Sequence, residues 1–158
     1  MNTITPFLWF DDNVENAVEL YTAVFPAARV TNVAHYGEAG PGTPGSILTA
    51  TIEIDGQEII LLNGGPGHPF TEAISLSVRA DTQDEIDSLW EQLTANGGQP
   101  GQCGWLTDPF GLSWQIVPPI LGELMSDPDP EKAGRTMQAM LQMTKLDIAG
   151  LQRAHDGA

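Results

Sequence analysis

The sequence predicts an α+β fold in which two βαβββ modules form a curved mixed sheet, followed by C-terminal helices. The first observation is that strand, helix and three strands are followed along the chain by strand, helix and several short strands. The second is a weak repeat of pattern, which lays Tyr21 on Trp90, 69 residues later. The third is that the pattern becomes helical after the two prolines at 118–119. We expect a single domain over 1–118, with repeats at about 1–67 and 68–118, and a helical extension over 119–158.

The first repeat is read from apolar runs and the turn residues between them. Strands are expected at 3–10, 29–36, 47–54 and 57–62. A helix with one apolar face follows the first strand, with Asp11 or Asp12 as its cap and Pro26 as its end. The dipeptide Asp55-Gly56 predicts a two-residue hairpin between the third and fourth strands.

The second repeat follows the same order. A strand is expected at 73–79, and shorter strands at about 102–106 and 113–117. Thr82 and Glu85 form a predicted capping box for the helix between them, which Gly97-Gly98 should end.

The extension carries a short helix at 120–125 and a long helix, either continuous or broken, that starts near Pro130 and whose apolar face includes several methionines. Packing of this helix against a second copy of the chain, to make a homodimer, and packing on its own domain are both open.

The composition of the chain disfavours several classes of function and binding site. The 158 residues carry 21 acidic and 6 basic side chains, a net charge of −15, which disfavours binding to nucleic acid or to an anionic membrane. No apolar run is long enough to span a bilayer, and no signal peptide is evident, so a cytoplasmic location is expected. Cys103 is the one cysteine, which rules out an internal disulfide and a cysteine-rich zinc site.

Three stretches resemble a known family. They are Pro6 to Asp11 with the helix that follows, Cys103 to Pro118, and the tail from Asp127 to Ile148. Together they are similar to the PhnB-like, 3-demethylubiquinone-9 3-methyltransferase-like branch of the glyoxalase/bleomycin resistance/dioxygenase (vicinal oxygen chelate) superfamily. The resemblance implies the βαβββ fold, a homodimer and a ligand cavity. The methyltransferase label has no support in the residues, because the glycine-rich run at 64–67 is not a loop between a strand and a helix.

The resemblance also implies where a metal would bind, in the first and fourth strands of each module. Those positions fall at Pro6, at Ile60 or Leu61, at Ala73 and at Gln115. Only Gln115 has a side-chain donor, and one neutral amide does not hold a divalent ion. We therefore expect neither a bound metal nor any other cofactor.

The candidate ligand-binding side chains are polar or aromatic groups on or near the expected ligand face: Gln115, Ser75, Ser77, Trp9, Asn63 and His68. Gln115 either orients a ligand or is satisfied by a neighbouring strand. His68 is either a general base or an exposed loop residue. Aromatic residues, including Trp105 and Phe7, form either a wall of the cavity or the core.

Other candidates for chemistry are weaker. Cys103 as a nucleophile lacks a nearby base in the sequence, so a small buried side chain is the favoured interpretation. The acidic residues at 81–87 suit a helix start rather than a metal site. No catalytic residue can be named from the sequence.

Three functions follow. The first is a metal-free protein that binds a small, partly apolar or aromatic molecule, and the lack of an acid/base pair favours it. The second is a metal-independent enzyme or a methyltransferase, as the family label says. The third is a dimerisation module with a vestigial cavity.

Overall fold

A computed structural model describes residues 2–158, which divide into two compact units. The first unit ends at Pro69 and the second comprises 70–158. Each contains one βαβββ module with a four-stranded mixed sheet, which confirms the predicted fold class. No helix within 2–158 is long and apolar enough to cross a membrane.

The first unit contains five elements: β1 (Phe7–Phe10), α1 (Val14–Val24), β2 (Arg29–His35), β3 (Ile47–Ile54) and β4 (Gln57–Asn63). Its sheet has the order β1-β4-β3-β2, with β1 parallel to β4 and the other pairs antiparallel. The predicted Asp55-Gly56 hairpin is confirmed, because both residues have positive φ, at 48° and 82°, as a tight hairpin turn requires.

One face of this sheet packs against α1. The alternation of β1 buries Leu8 and Phe10, whereas Phe7 and Trp9 point to the opposite face and stay 57% and 37% exposed. The buried face of α1 packs on the sheet and consists of Val14, Ala17, Tyr21 and Val24. The face carrying Phe7 and Trp9 is not covered by the unit's own helix, and we call it the open face of the first sheet.

The cap of α1 differs from the prediction. Neither Asp11 nor Asp12 caps the helix, and Asn13, which occupies the N-cap position, makes no side-chain capping bond. Instead the Oδ1 atom of Asn63, at the end of β4, accepts a hydrogen bond of 3.0 Å from the backbone N–H of Val14. The expectation was wrong because the acceptor comes from a distant strand, which no local pattern reveals.

The second unit contains eight elements: β5 (Ser75–Arg79), α2 (Gln83–Thr94), β6 (Gln99–Pro100), β7 (Trp105–Thr107), β8 (Ser113–Val117), α3 (Pro119–Met125), α4 (Pro130–Leu141) and α5 (Ile148–Asp156). The sheet order is β5-β8-β7-β6, again with the first and last strands of the module parallel. The capping box of Thr82 and Glu85 is confirmed. Trp114, Ile116 and Leu106 are buried on the side of the sheet that faces α2.

Of the two alternatives for the long C-terminal helix, the structure has the broken one, with α4 and α5 as separate helices. The break is stabilised by the turn before β7, because the N–H groups of Cys103 and Gly104 donate to the carbonyls of Met143 and Thr144, each at 2.8 Å. Leu146, in the same segment, is fully buried. A continuous helix would have used those carbonyls internally, so tertiary pairing overrides the helical pattern here.

The segment before α5 is tied to α2 by one side chain. The Oε1 atom of Gln83 accepts from the N–H of Ile148 at 2.8 Å, and its Nε2 donates to the carbonyl of Leu146 and to Asp87. Asp87 also pairs with Lys145 at 2.7 Å. The hydrogen bond from Lys145 is the main cause that lowers the pKa of Asp87. The extension is therefore an integral part of the second unit.

Three ionisable side chains join the α3–α4 loop to α5. The Nε2 atom of His155 lies 2.9 Å from Asp127, and its Nδ1 lies 3.2 Å from Asp156. We call this group the His155 clasp. The hydrogen bonds to Asp156 and then to Asp127 raise the pKa of His155 above its ordinary value of 6.5. The pKa values of both carboxyl groups are lowered, that of Asp127 chiefly by the N–H of Asp129 and that of Asp156 chiefly by His155.

Candidate functional site

Three of the predicted ligand-binding residues come together on the second sheet. Ser75 and Ser77 on β5, and Gln115 on β8, lie on the face opposite to α2, which we call the open face of the second sheet. Ser77 is the register partner of Gln115, and the Nε2 atom of Gln115 donates a 2.9 Å hydrogen bond to the Oγ of Ser75. This bond fixes the amide, so its Oε1 points a preset acceptor at this face.

Trp105 gives the same face an aromatic surface. It is the register partner of Gln115 on β7, and its side chain is half-buried. Beside it lies a cavity of about 430 Å³ within the second unit, whose lining combines apolar groups such as Leu106 with the side chains of Glu72, Gln99, Gln102, Trp105, Thr107 and Ser113. A volume of this size falls within the range of about 300–1,000 Å³ that small-molecule sites occupy.

Ser113 is a site residue that the sequence reasoning missed. It is the register partner of both Ser75 and Thr107, it is 1% exposed, and it lines the cavity beside Trp105. Among residues 2–158, its Oγ has no hydrogen-bond partner. Burying a hydroxyl without a partner costs about 1–3 kcal/mol. The available signal was its position two residues before Gln115, which places both on one face of a strand.

The open face of the first sheet is largely apolar. Phe7 and Trp9 lie opposite Ile60 and Leu62 in the β1–β4 register. The Trp9 Nε1–H donates to the carbonyl of Gly65 at 2.8 Å, which fastens the 64–69 loop over the indole.

The same loop explains the positions of Gly64 and His68. An ideal Cβ atom on Gly64 would lie 2.3 Å from Trp9, so only glycine permits this approach. The rings of Trp9 and His68 have centroids 4.4 Å apart at an angle of 55°. Two of the predicted residues are thus in contact, and His68 contributes an exposed ring that packs on the indole.

Asn63, also a predicted ligand residue, is used by the fold. Its Oδ1 accepts from Val14, and its Nδ2 donates to the carbonyl of Ile47 at 3.1 Å. The phenol of Tyr36 donates to the carbonyl oxygen of Asn63. With both ends of the amide occupied, the side chain links α1 to β3 rather than presenting free groups to a ligand.

The first unit has a cavity of its own, of about 460 Å³. Asp11, Asp12, Glu15, Tyr36 and Asn63 are among the residues that line it. The lining is acidic on one side and contains the ring of Tyr36, so its electrostatic character differs from that of the cavity beside Trp105.

The side chains at the expected metal positions do not fit a divalent ion. Pro6 and Ala73 have no donor, Ile60 lies on the open face in register with Phe7, and Leu61 is fully buried on the other side. Gln115 is the one donor, and its amide nitrogen is bound to Ser75. No three His, Cys, Asp or Glu side chains within residues 2–158 are arranged to hold a metal ion.

The remaining candidate residues make contacts that stabilise the fold. Cys103 is half-buried in a left-handed conformation, with φ of 58°, and its N–H is bound to Met143. Trp114 is buried on the α2 side, where its indole donates to the carboxylate of Asp108 at 2.9 Å. Glu85 belongs to the capping box of α2.

Comparison with known proteins identifies relatives of this arrangement. Residues 2–117 match the sequence profile of the family described as 3-demethylubiquinone-9 3-methyltransferase. A Bacillus cereus PhnB protein, for which that methyltransferase activity is suggested, is 32% identical, with a TM-score of 0.67 over 74% of this chain and 99% of its own. No curated protein matches the chain.

More distant structures share the fold. A Pseudomonas aeruginosa protein has 19% identity and a TM-score of 0.62, covering 75% of this chain and 98% of its own. The fosfomycin resistance protein FosX of Listeria monocytogenes, solved with Mn(II) and sulfate, has 12% identity and a TM-score of 0.53, covering 74% of this chain and 89% of its own. The chain therefore belongs to the 3-demethylubiquinone-9 3-methyltransferase family, and it shares its fold with FosX.

Proposed function

We propose that this protein binds a small, partly apolar or aromatic molecule on the open face of the second sheet, without a metal ion. The observation that carries the proposal is the Gln115–Ser75 hydrogen bond of 2.9 Å, which orients an amide beside Trp105. An oriented polar group next to an aromatic surface fixes both the position and the identity of a ligand. Ser77, in register with Gln115, adds a second hydroxyl.

Binding is favoured over catalysis by the chemistry of this face. Ser75, Ser77 and Gln115 are neutral, and none of them is a general acid or base at ordinary pH. Acyl or methyl transfer would also need a group that activates a nucleophile. The residues of this face supply hydrogen bonds and an aromatic surface, which suffice for sequestration of a compound.

The test is a titration of the ¹⁵N-labelled full chain with neutral aromatic fragments, namely benzyl alcohol and benzamide. We expect saturable shifts of the Trp105 indole and the Gln115 side-chain amide. Gln115→Ala should weaken binding about fivefold, the value of one net hydrogen bond of about 1 kcal/mol. Gln92→Ala is the matched control, because Gln92 is on α2 and bonds only to Ser88.

Two results would contradict the proposal. One is the absence of saturable shifts at Trp105 and Gln115 with every fragment. The other is methyl transfer from S-adenosylmethionine to a bound acceptor, which would make the protein an enzyme and support the alternative function.

Self-association and a cytoplasmic location are further parts of this proposal. The homodimer is supported by the apolar side chains that α4 leaves exposed, Met137 at 39% and Leu141 at 53%. The double variant Met137→Gln/Leu141→Gln should then run as a monomer in size-exclusion chromatography with light scattering, while the unmodified chain runs as a dimer. Equal masses for the two proteins would contradict this role for α4.

A further inference from the structure

The cavity beside Trp105 contains an unused hydrogen-bonding group deep in its lining. Ser113 is 1% exposed, and its Oγ has no partner within residues 2–158. Buried hydroxyls in folded proteins are almost always hydrogen-bonded, to protein groups, to ordered water or to a ligand. The Ser113 Oγ can therefore accept a hydrogen bond from a water molecule or from a polar group of a ligand.

The charge of the lining indicates the sign of the ligand. Among residues 2–158, Glu72 is the one charged side chain that lines the cavity, and no lysine or arginine of that range does so. Two cationic side chains of the second unit are engaged elsewhere, since Arg79 pairs with Asp81 and Lys145 pairs with Asp87. An anionic ligand would find no counter-charge here and would be repelled by Glu72.

Trp105 also favours a positively charged ligand. Its half-buried ring lines the cavity, and the face of an indole attracts a cation more strongly than any other side-chain ring does. The ring also packs well against a flat apolar group. The whole chain has a net charge of −15, a field that concentrates cations near the surface.

Together these observations specify a ligand class. We propose that this cavity binds a small primary ammonium compound with a flat apolar frame, whose ammonium group pairs with Glu72 and donates to the Oγ of Ser113 while its frame packs on Trp105. An ammonium group has three N–H donors, so it can serve a carboxylate and a hydroxyl at once. This inference rests on the proposed function, because it names the ligand class for the same sheet face.

The test compares three probes of one shape and three charges: benzylamine, benzyl alcohol and benzoate. Each is titrated into the ¹⁵N-labelled full chain, and the dissociation constant is taken from the shift of the Trp105 indole. We expect benzylamine to bind about tenfold more tightly than benzyl alcohol at low salt, and benzoate to bind more weakly than either. The advantage of benzylamine should shrink at high ionic strength, because Glu72 is exposed.

Two variants assign the contacts. Glu72→Gln should weaken benzylamine binding about fivefold and leave benzyl alcohol binding unchanged. Glu91→Gln is the matched control, since Glu91 is an exposed carboxylate on α2 and should leave all three probes unaffected.

Ser113→Ala should weaken benzylamine about fivefold while leaving the thermal midpoint of the free protein unchanged or higher, because it removes an unsatisfied hydroxyl. A fall of several degrees in that midpoint would mean that Ser113 has a structural partner, and the inference would be overturned.

The outcomes separate this inference from the proposed function. If benzyl alcohol or benzoate binds at Trp105 as tightly as benzylamine, the sheet face binds ligands but the ammonium class is wrong. If none of the probes shifts Trp105 or Gln115, both proposals fail. Binding of benzylamine that survives Glu72→Gln unchanged would also overturn the ion pair.

Discussion

Replacing Asn63 by alanine tests how the first unit holds its helix. The change removes the acceptor that caps Val14 at 3.0 Å and the donor to Ile47 at 3.1 Å, while the backbone carbonyl that Tyr36 binds remains. Loss of a capping acceptor costs about 1 kcal/mol, and loss of the second hydrogen bond costs about 1 kcal/mol more. We therefore expect Asn63→Ala to lower the free energy of unfolding by about 2 kcal/mol.

The chain provides a matched control in Asn13→Ala. Asn13 occupies the N-cap position of α1, yet its side chain makes no capping bond, so its replacement should cost less than about 0.5 kcal/mol. Urea unfolding gives the free energies of both variants. Amide hydrogen exchange at Val14 then reports the cap locally, and it should accelerate only in Asn63→Ala.

The reasoning would be refuted if Asn13→Ala destabilised the protein as much as Asn63→Ala. Equal exchange rates at Val14 in Asn63→Ala and in the unmodified protein would refute it too, since the Val14 amide would then not depend on the Asn63 oxygen. Either result would return the cap to the residues that directly precede the helix, as the sequence alone had predicted.

Two further predictions concern packing and pH. Gly64→Ala should displace the Trp9 indole, destabilise the protein by about 1–3 kcal/mol and shift the Trp9 Nε1–H resonance, because the new Cβ would lie 2.3 Å from the ring. Gly37→Ala, where a Cβ would meet nothing within 4 Å, should leave both unchanged. The His155 clasp should stabilise the protein most between about pH 4 and pH 6.5. Its contribution should be lost as pH rises through the raised pKa of His155, or falls through the lowered pKa values of its aspartates. The gap in urea midpoint between the unmodified protein and His155→Gln should therefore narrow by pH 9, and a constant gap would contradict this.

Features that depend on neighbouring residues could be predicted from the sequence. The capping box of Thr82 and Glu85 spans one helical turn, and the Asp55-Gly56 turn spans two residues, so the pattern contains all the atoms involved. The strand at 47–54 has the predicted bounds for the same reason, as it lies between clear turn signals. In contrast, β6 has only two residues, too few for any alternation to show.

Features that depend on distant residues could not be predicted. The cap of α1 comes from a residue 49 positions away, and the break between α4 and α5 depends on carbonyls that pair with Cys103 and Gly104. In the cap and in the break alike, a backbone group could bond either to a neighbour in sequence or to a residue far along the chain. The sequence shows the local option only, whereas the fold decides which one wins.

For the candidate site, the sequence named Ser75, Ser77 and Gln115 as polar residues on or near the expected ligand face. The β5–β8 register places Ser75 and Ser77 opposite Ser113 and Gln115. Ser113 was missed because a serine is common and its burial depends on residues that cover the strand end. Trp105 was assigned to either core or cavity, and only its half-exposed ring beside the cavity decides between them.

The pairing of 143–144 with Cys103 and Gly104 has a consequence for synthesis on the ribosome. All strands and the helix of the first unit lie within residues 2–69, so its contacts are available early during translation. The second unit must wait about 40 residues beyond Gly104 before the partner carbonyls and Leu146 leave the exit tunnel. Until then the N–H groups of Cys103 and Gly104, in the turn before β7, lack their native partners, so the second unit completes its contacts later than the first.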